Sequence, residues 1–302
     1  MLSVNIPVYN VEIVELVNQL HQQAIRLDLS VEIRVYDDGS DEIFKSINRT
    51  VKDISNVIYK ELDKNVGRAA IRNKMGQDAG GEWLLFMDAD SKLISGNYLK
   101  NYFDKLSGNR VLCGGTAYAS SEPADPEKLL RWTYGSRREA ISAARRNQSK
   151  GFIITSNNFL ISRNLFQQIP FREELREYGH EDTLLGYDLF CQGIEIYHID
   201  NPLEHTGLES AQVFLKKTCM ALANLKKIAE ELLEGEHKFY RQVNFLRKNR
   251  LLTFFIPGRF LALLFNRYRL KLETNLKSRR PSLFLFDLYK LGYYASIKNR
   301  WH

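Results

Sequence analysis

The segment 82–88, EWLLFMD, is apolar on both faces. A strand of that kind is buried only in the middle of a largely parallel sheet that carries helices on each side. The residues before it supply the rest of such a sheet. LSVNIPVY and VEIRVY are short β-rich runs that end in turn chemistry, and between them Ile13, Leu16, Val17, Leu20 and Ala24 recur at the spacing of one helix face. That is a βαβ unit. NVIYKEL reads as a third strand, followed by a helix that starts around Gly67. The fold class is therefore α/β, a mixed and mostly parallel sheet flanked by helices. Sheets of this class bind ligands beyond the carboxyl ends of their strands. The polar residues stand at those ends: Asn10 after the first strand, Asp37 and Asp38 after the second, Asp88 and Asp90 after the fourth.

Further along, RVLCGGTAY and GFIITSNNFLISR read as strands with a helix from about Pro126 to Asn147 between them. In REYGHEDTLLGYDLFCQG, Gly179 and Gly193 bracket a helix that opens on acidic residues, and the strand IEIYHI follows. From residue 211 onward the periodicity is helical.

Charge divides the chain at about the same place. Residues 211–302 hold 19 Lys and Arg against 6 Asp and Glu, a balance of +13, whereas residues 1–210 hold 24 against 30, a balance of −6. Two regions are expected, 1–210 and a basic helical 211–302, with an anionic surface as the partner of the second. The segment LLTFFIPGRFLALLF, 251–265, is too short and too interrupted by Pro257, Gly258 and Arg259 to span a bilayer. With Arg267, Arg269 and Lys271 beside Phe, Leu and Tyr, it suits a helix lying on an anionic membrane face. Cys113, Cys191 and Cys219 are scattered and lack a C-x-x-C spacing, which excludes a zinc knuckle and fits a reducing compartment. The N-terminal MLSVNIPVYN has no basic-then-apolar leader pattern. The expected location is the cytoplasm, peripheral at the inner face of the cell membrane.

The strand-end residues carry the chemistry. Asp88 and Asp90, one residue apart, can set oxygen ligands on Mg²⁺ or Mn²⁺, which in turn holds phosphate oxygens; the same spacing also serves as a cap of the following turn. VYDDGSDE offers Asp37 and Asp38 as acceptors for a base or ribose, and it is equally an ordinary turn. In NVGRAAIRNKMG, Gly67 allows close backbone approach at a helix start, while Arg68 and Arg72 share one helical face, a pairing that suits a diphosphate or a solvated basic surface.

These segments, VNIPVYN, VYDDGSDE, NVGRAAIRN, LLFMDADSKL and YGHEDTLLGYDL, resemble in order and spacing the motifs of family-2 glycosyltransferases of the GT-A fold, over residues 1 to about 205. The resemblance implies an inverting, metal-dependent transfer of a sugar from a nucleotide diphosphate, a UDP-sugar, to an acceptor hydroxyl on a surface glycan or a lipid-linked oligosaccharide precursor. It implies nucleotide-sugar contacts from Pro7, Tyr9, Asn10, Asp37, Asp38, Gly67, Arg68, Arg72, Asp88 and Ala89. Asp90 is the implied direct ligand of Mn²⁺ or Mg²⁺, with Asp88 as its partner toward ribose or metal and His205 as a third ligand. Glu181 and Asp182 fall at the acceptor side, and Asp182 is the implied general base, although acidic residues also favour a helix's first turn. The G-H-E-D context is also similar to the acceptor motif of β-1,4-galactosyltransferases. Asn157 and Asn158 are further candidates for the acceptor cleft, whereas His180 and His198 read as structural.

Two other classes were open to such a chain. Nucleic-acid binding by the basic region has no helix-turn-helix, zinc or RNA-recognition signature behind it, and it leaves the acidic strand ends without a role. A nucleotidyltransferase needs a glycine-rich basic loop after the first strand, where PVYNVE stands instead.

Overall fold

A computed structural model of the 302-residue chain describes residues 1–27, 30–106, 110–148, 152–175 and 178–297. The strands are β1 (Leu2–Val8), β2 (Val31–Asp37), β3 (Val57–Glu61), β4 (Trp83–Met87), β5 (Ser91–Leu93), β6 (Arg110–Cys113), β7 (Thr116–Ala117), β8 (Asn158–Ser162), β9 (Glu195–His198) and β10 (Leu203–His205). The helices are α1 (Val14–Arg26), α2 (Glu42–Asn48), α3 (Arg68–Asp78), α4 (Tyr98–Phe103), α5 (Leu129–Tyr134), α6 (Ala143–Gln148), α7 (Arg163–Gln168), α8 (Glu181–Cys191), α9 (Ala211–Lys227), α10 (His237–Gln242), α11 (Asn244–Phe255), α12 (Gly258–Leu276) and α13 (Leu283–Ser296).

Two compact units result. The first takes Met1–Ala119, Glu139–Arg176 and Glu181–Gly207; the second takes Ser120–Arg138, Glu177–His180 and Leu208–His302.

In the first unit, the described residues form a seven-stranded sheet in the order β3-β2-β1-β4-β8-β6-β9. β8 runs antiparallel to β4 and β6, and the other pairings are parallel. β4 lies in the middle, and its apolar two-faced sequence follows from that place: Leu84, Leu85, Phe86 and Met87 are all fully buried. Leu85 and Met87 join one core with Leu16, Val17 and Leu20 of α1, whereas Leu84 and Phe86 join the other with Ile71 and Met75 of α3. Each such side chain contributes about 1.5–3 kcal/mol when buried. A smaller sheet, β5-β10-β7, stands beyond the end of β4.

Three expected elements come out differently. RVLCGGTAY breaks into β6 and β7 on two sheets, because the chain turns at Gly114 and Gly115. Gly115 has φ +90°, and a side chain on Gly114 would meet Asn158 Nδ2 and the Asn201 carbonyl, both at 2.5 Å. The strand expected in GFIITSNNFLISR begins only at Asn158, since Phe152 and Ile154 pack instead against Gly186 of α8. The helix expected over Pro126 to Asn147 is broken into a 3₁₀ turn capped by Asp125, α5, a π turn over Gly135–Glu139, and α6. The chain passes from the second unit to the first within that π turn.

In the second unit, Leu130, Ala211, Leu215, Phe265, Leu276, Phe286 and Tyr289 form the core. α12 and α13 touch where Gly292 faces Phe265. Ser210 and Ser282 cap α9 and α13 by accepting from Val213 N and Leu285 N. Among the described residues no helix is long and apolar enough to cross a membrane.

Candidate active site

The first unit gathers its charged residues at the carboxyl ends of β1, β2 and β4. After β1, Asn10 adopts a left-handed backbone with φ 53°. Its N–H donates to Ser40 Oγ at 2.8 Å and its Oδ1 accepts from Asp41 N at 2.8 Å, which ties this end to the loop after β2. Pro7 is half-buried, and Tyr9 is 54% exposed.

Asp37 and Asp38 are both buried. Asp37 Oδ1 accepts from Ser40 N at 2.7 Å, while its Oδ2 has no hydrogen-bond partner. Asp38 accepts from Val66 N at 2.7 Å and Gly67 N at 3.2 Å. Burial raises the Asp38 carboxyl against the opposing pull of those two N–H groups, and the Asp37 charge adds to the rise. Asp38 thus holds the loop that leads into α3. Gly67 is its pivot, with φ +92° and open space where a Cβ would stand.

Arg68 and Arg72, one helical turn apart at the start of α3, both reach Asp88 at the end of β4. Arg72 Nη2 donates to Asp88 Oδ1 at 2.5 Å, and Arg68 Nη2 donates to Asp88 Oδ2 at 3.3 Å. Arg68 Nε also donates to Glu181 Oε1 at 2.5 Å, joining α3 to the first residue of α8. Arg72 is 1% exposed, so it is an internal brace, whereas the side chain of Arg68 is 43% exposed. Burial alone would raise Asp88; Arg68, Arg72 and His205 outweigh it and hold the carboxyl below its ordinary range. Glu181 is lowered in the same way, burial opposing and the two arginines prevailing. Burial depresses Arg72, with the Asp88 charge opposing. Breaking such a buried pair costs about 3–5 kcal/mol.

Asp182, the second residue of α8, behaves oppositely. Burial first and the Glu181 charge second push its carboxyl up to about 6, although it accepts from Thr183 N at 2.7 Å and from Ser156 N. Two adjacent carboxylates have been pulled apart by their surroundings, one ionised by arginines and one poised to exchange a proton near neutrality. The chain enters α8 through left-handed Gly179 and His180, with φ +97° and +68°, and so puts both acids in the helix's first turn.

Ala89 is buried in the turn after Asp88. Asp90 follows, and here the smaller sheet matters. β5 and β10 pair antiparallel with Ser91 opposite His205, so His205 Nδ1 comes to 3.4 Å from Asp90 Oδ2. Thr206 donates to the Asp90 carbonyl from both N, at 2.9 Å, and Oγ1, at 2.8 Å. A Cβ on Gly207 would lie 2.2 Å from Asp90 Oδ2, so only glycine leaves room for that carboxylate. The Tyr118 ring meets His205 edge-on, with centroids 5.7 Å apart. Thr206, Gly207 and Tyr118 escaped the reading of the sequence. The adjacency H-T-G after a strand is the one local signal that could have marked the first two.

The donor set fits a hard divalent cation only in part from protein. Among the described residues no group of three or more His, Cys, Asp or Glu forms a complete cage. Asp90 and His205 are adjacent, while both oxygens of Asp88 face arginines. One or two protein ligands completed by substrate phosphates is the usual arrangement for Mg²⁺, and imidazole is acceptable to Mn²⁺.

Two asparagines expected near the acceptor differ. Asn158 is fully buried and braces the sheet junction: its Nδ2 donates to the Gly115 and Asn201 carbonyls, and its Oδ1 accepts from Tyr98 and Tyr102. It lines no cleft. Asn157 donates to Thr116 Oγ1 at 2.9 Å, and its carbonyl accepts from Asp88 N. His198, 4% exposed, meets Arg146 at 2.7 Å, and burial, then the Arg146 charge, lowers it to about 4, so it stays neutral as a structural residue.

Comparison with known proteins yields one family and a set of folds. The sequence model described as Glycosyl transferase family 2 matches residues 3–170. No curated protein matches. The mannosyltransferase PcManGT from Pyrobaculum calidifontis, solved in complex with GDP-Man and Mn²⁺, aligns at 18% identity over 99% of this chain and 87% of that one, with a TM-score of 0.60. S. aureus TarS 1–349 aligns at 19% identity over 96% of this chain and 90% of that one, TM-score 0.51. Its complex with UDP-GlcNAc aligns at 18% over 96% and 90%, also at 0.51. At such identities the likeness is one of fold.

Proposed function

The chain belongs to glycosyl transferase family 2 and is a glycosyltransferase using a nucleotide-sugar, and from that premise we propose an inverting, metal-dependent transfer from a UDP-sugar to an acceptor hydroxyl of a surface glycan or a lipid-linked oligosaccharide precursor. Residues 1–210 form the catalytic region in this reading, and the basic helical region 211–302 meets an anionic membrane surface.

The observation that carries the proposal is the separation of the two acids at the head of α8. Glu181 is held ionised by Arg68 and Arg72, while Asp182 sits near 6. In its ionised form Asp182 takes the proton of the acceptor hydroxyl as that oxygen bonds to the anomeric carbon. The anomeric carbon's bond to the diphosphate breaks, its electron pair leaves with the nucleoside diphosphate, and the configuration inverts. Glu181 fixes Arg68, and Arg68, half-exposed beside Asp88, offers positive charge to the donor diphosphate. Arg72 acts only by holding Asp88. Asp90 and His205 would hold Mn²⁺ or Mg²⁺, which supplies neutralisation of the diphosphate's charge when bound. At the nucleotide end, Tyr9 presents an exposed ring beside Pro7 and Asn10, Asp37 has an acceptor oxygen without a partner, and Asp38 and Gly67 shape the adjoining loop. GDP-Man and UDP-GlcNAc bound by proteins of like fold support a nucleotide-sugar donor.

Calorimetric titration with a panel of nucleoside diphosphates and nucleotide-sugars, with and without Mn²⁺, tests this. Metal-dependent binding of one uridine nucleotide, lost in Asp90→Asn, is the expected result. Equal binding without metal would remove the metal role, preference for another base would remove UDP, and no binding by folded protein would overturn the donor reading.

A further inference from the structure

Residues 237–280 contain twelve Lys and Arg and one acidic residue, Glu273. Glu273 is taken by Arg269 at 2.7 Å and Lys277 at 3.4 Å. Arg241, Arg247, Arg250, Arg259 and Arg267 have no carboxylate partner among the described residues. The same helices leave large apolar side chains in water: Phe254 is 80% exposed, Phe255 73%, Leu251 and Leu263 65%, and Phe260 50%. They gather at one corner. α11 ends at Phe255, extended Ile256 and Pro257 turn the chain, and α12 begins at Gly258. Exposed apolar side chains among cations without carboxylate partners mark a contact surface rather than a solvated face.

Beside this corner lies a cavity of about 390 Å³ between α10 and α11. Arg241, Arg247 and Arg250 border it with His237 and Tyr240, the surface turned into it is mostly apolar, and Leu251 and Phe254 stand at the same cavity, joining it to the exposed cluster. Arg247 is steadied by donating to Asn244 Oδ1 at 2.7 Å.

The charge and the apolar residues together select the occupant. A second copy of this face would bring like charges together. Nucleic acid would answer the arginines and could stack on Phe254 or Phe260, but it offers nothing to Leu251, Leu263 or Leu270, the last 78% exposed. An anionic bilayer answers both sets, with phosphates for the guanidiniums and acyl chains for Phe and Leu.

We propose that the corner between α11 and α12 inserts into an anionic phospholipid bilayer, with Phe254, Phe255, Phe260 and Leu263 at the acyl boundary and lipid phosphates met by Arg241, Arg247 and Arg250. This rests on the membrane partner proposed above and names the surface and the head-group site that serve it. It is independent of the transfer chemistry.

The test is sedimentation of the full chain with phosphatidylglycerol–phosphatidylcholine vesicles and with phosphatidylcholine alone, at low and high salt. Wild type should bind the anionic vesicles and lose them at high salt. Phe254→Ser/Phe255→Ser/Phe260→Ser should bind at least about tenfold more weakly. Arg241→Ala/Arg250→Ala should lose about fivefold per residue. Thermal unfolding of each variant should match wild type, which separates lost contact from lost fold. Wild-type binding that neither variant weakens would overturn the corner while leaving the membrane partner standing. No wild-type binding would overturn both. Equal binding to phosphatidylcholine vesicles, which carry phosphate but no net charge, would overturn the choice of an anionic bilayer, and an Arg241→Ala/Arg250→Ala variant that binds like wild type would overturn the phosphate contacts. A dimer in light scattering that the triple serine variant abolishes would replace the bilayer by a second copy.

Discussion

The two units place their charges in opposite ways. In the first, arginines and carboxylates turn inward: Arg72, Glu181, Asp37 and Asp38 are all buried, and each has a partner fixed by a strand end or helix start. In the second, the cations of α11 and α12 face out beside Phe254 and Phe255, with one glutamate among twelve basic residues over 237–280. The difference fits the two kinds of work proposed above, sugar transfer in the first unit and membrane contact in the second. A reacting group must be held before substrate arrives, and the low-dielectric interior that holds it also shifts its proton affinity. A surface that meets a large, fluid partner must instead leave its groups unpaired until contact.

Changes in the first unit should therefore silence transfer and leave vesicle binding alone. The largest effect is expected from Asp182→Asn, which removes the proton acceptor: kcat should fall about 10²–10⁴-fold with donor binding retained. Steady-state kinetics beside calorimetry checks it, and a fall in KM alone would exclude Asp182 as base. Arg72→Ala should follow, since it leaves Asp88 partly buried with a poorer partner; urea denaturation should show a loss of about 3–5 kcal/mol.

Gly207→Ala sets a methyl against the Asp90 carboxylate, 2.2 Å from Oδ2. Relieving that clash moves the ligand by about 1 Å, which should weaken Mn²⁺-dependent donor use by up to about 10²-fold with an unfolding temperature close to wild type. A variant with unchanged activity would detach Asp90 from the metal.

The pH dependence is smaller and more local. Burial and Glu181 raise Asp182 to about 6, and it must be ionised to accept a proton, so the rate should fall about tenfold per unit as pH drops below 6. Glu181→Gln removes one of the two forces raising it and should move that limb to lower pH. A limb that stays in place would mean the rate follows another group.

The smallest effect closes the comparison from the other side. Phe254→Ser should change stability by less than about 0.5 kcal/mol, because an exposed ring has little burial to lose. A large loss in chemical denaturation would show that this ring packs and is no contact surface.

How far the sequence carried differs between the two regions for the same reason. Two-faced EWLLFMD predicted a central strand, and β4 is central. The helix face Ile13, Leu16, Val17, Leu20 predicted α1, and those residues are buried. Both are patterns among near neighbours. Arg68 and Arg72 were legible as one helical face but not as partners of Asp88 and Glu181, the second of which lies 113 residues from Arg68. The long helix expected over Pro126 to Asn147 failed because periodicity does not register where a chain leaves one packing unit for another.

By itself the sequence determined the α/β class, the strand ends where polar residues collect, the acidic start of α8 and the basic helical stretch after residue 210, since period, turn chemistry and charge are local properties. Only the tertiary structure decided that Thr206 holds the Asp90 carbonyl, that Gly207 leaves the Asp90 carboxylate its space, that Asn158 is a brace, and that Phe254 and its neighbours stay uncovered. Those outcomes depend on register and packing between segments as far apart as the 116 residues from Asp90 to Thr206, and no local pattern encodes them.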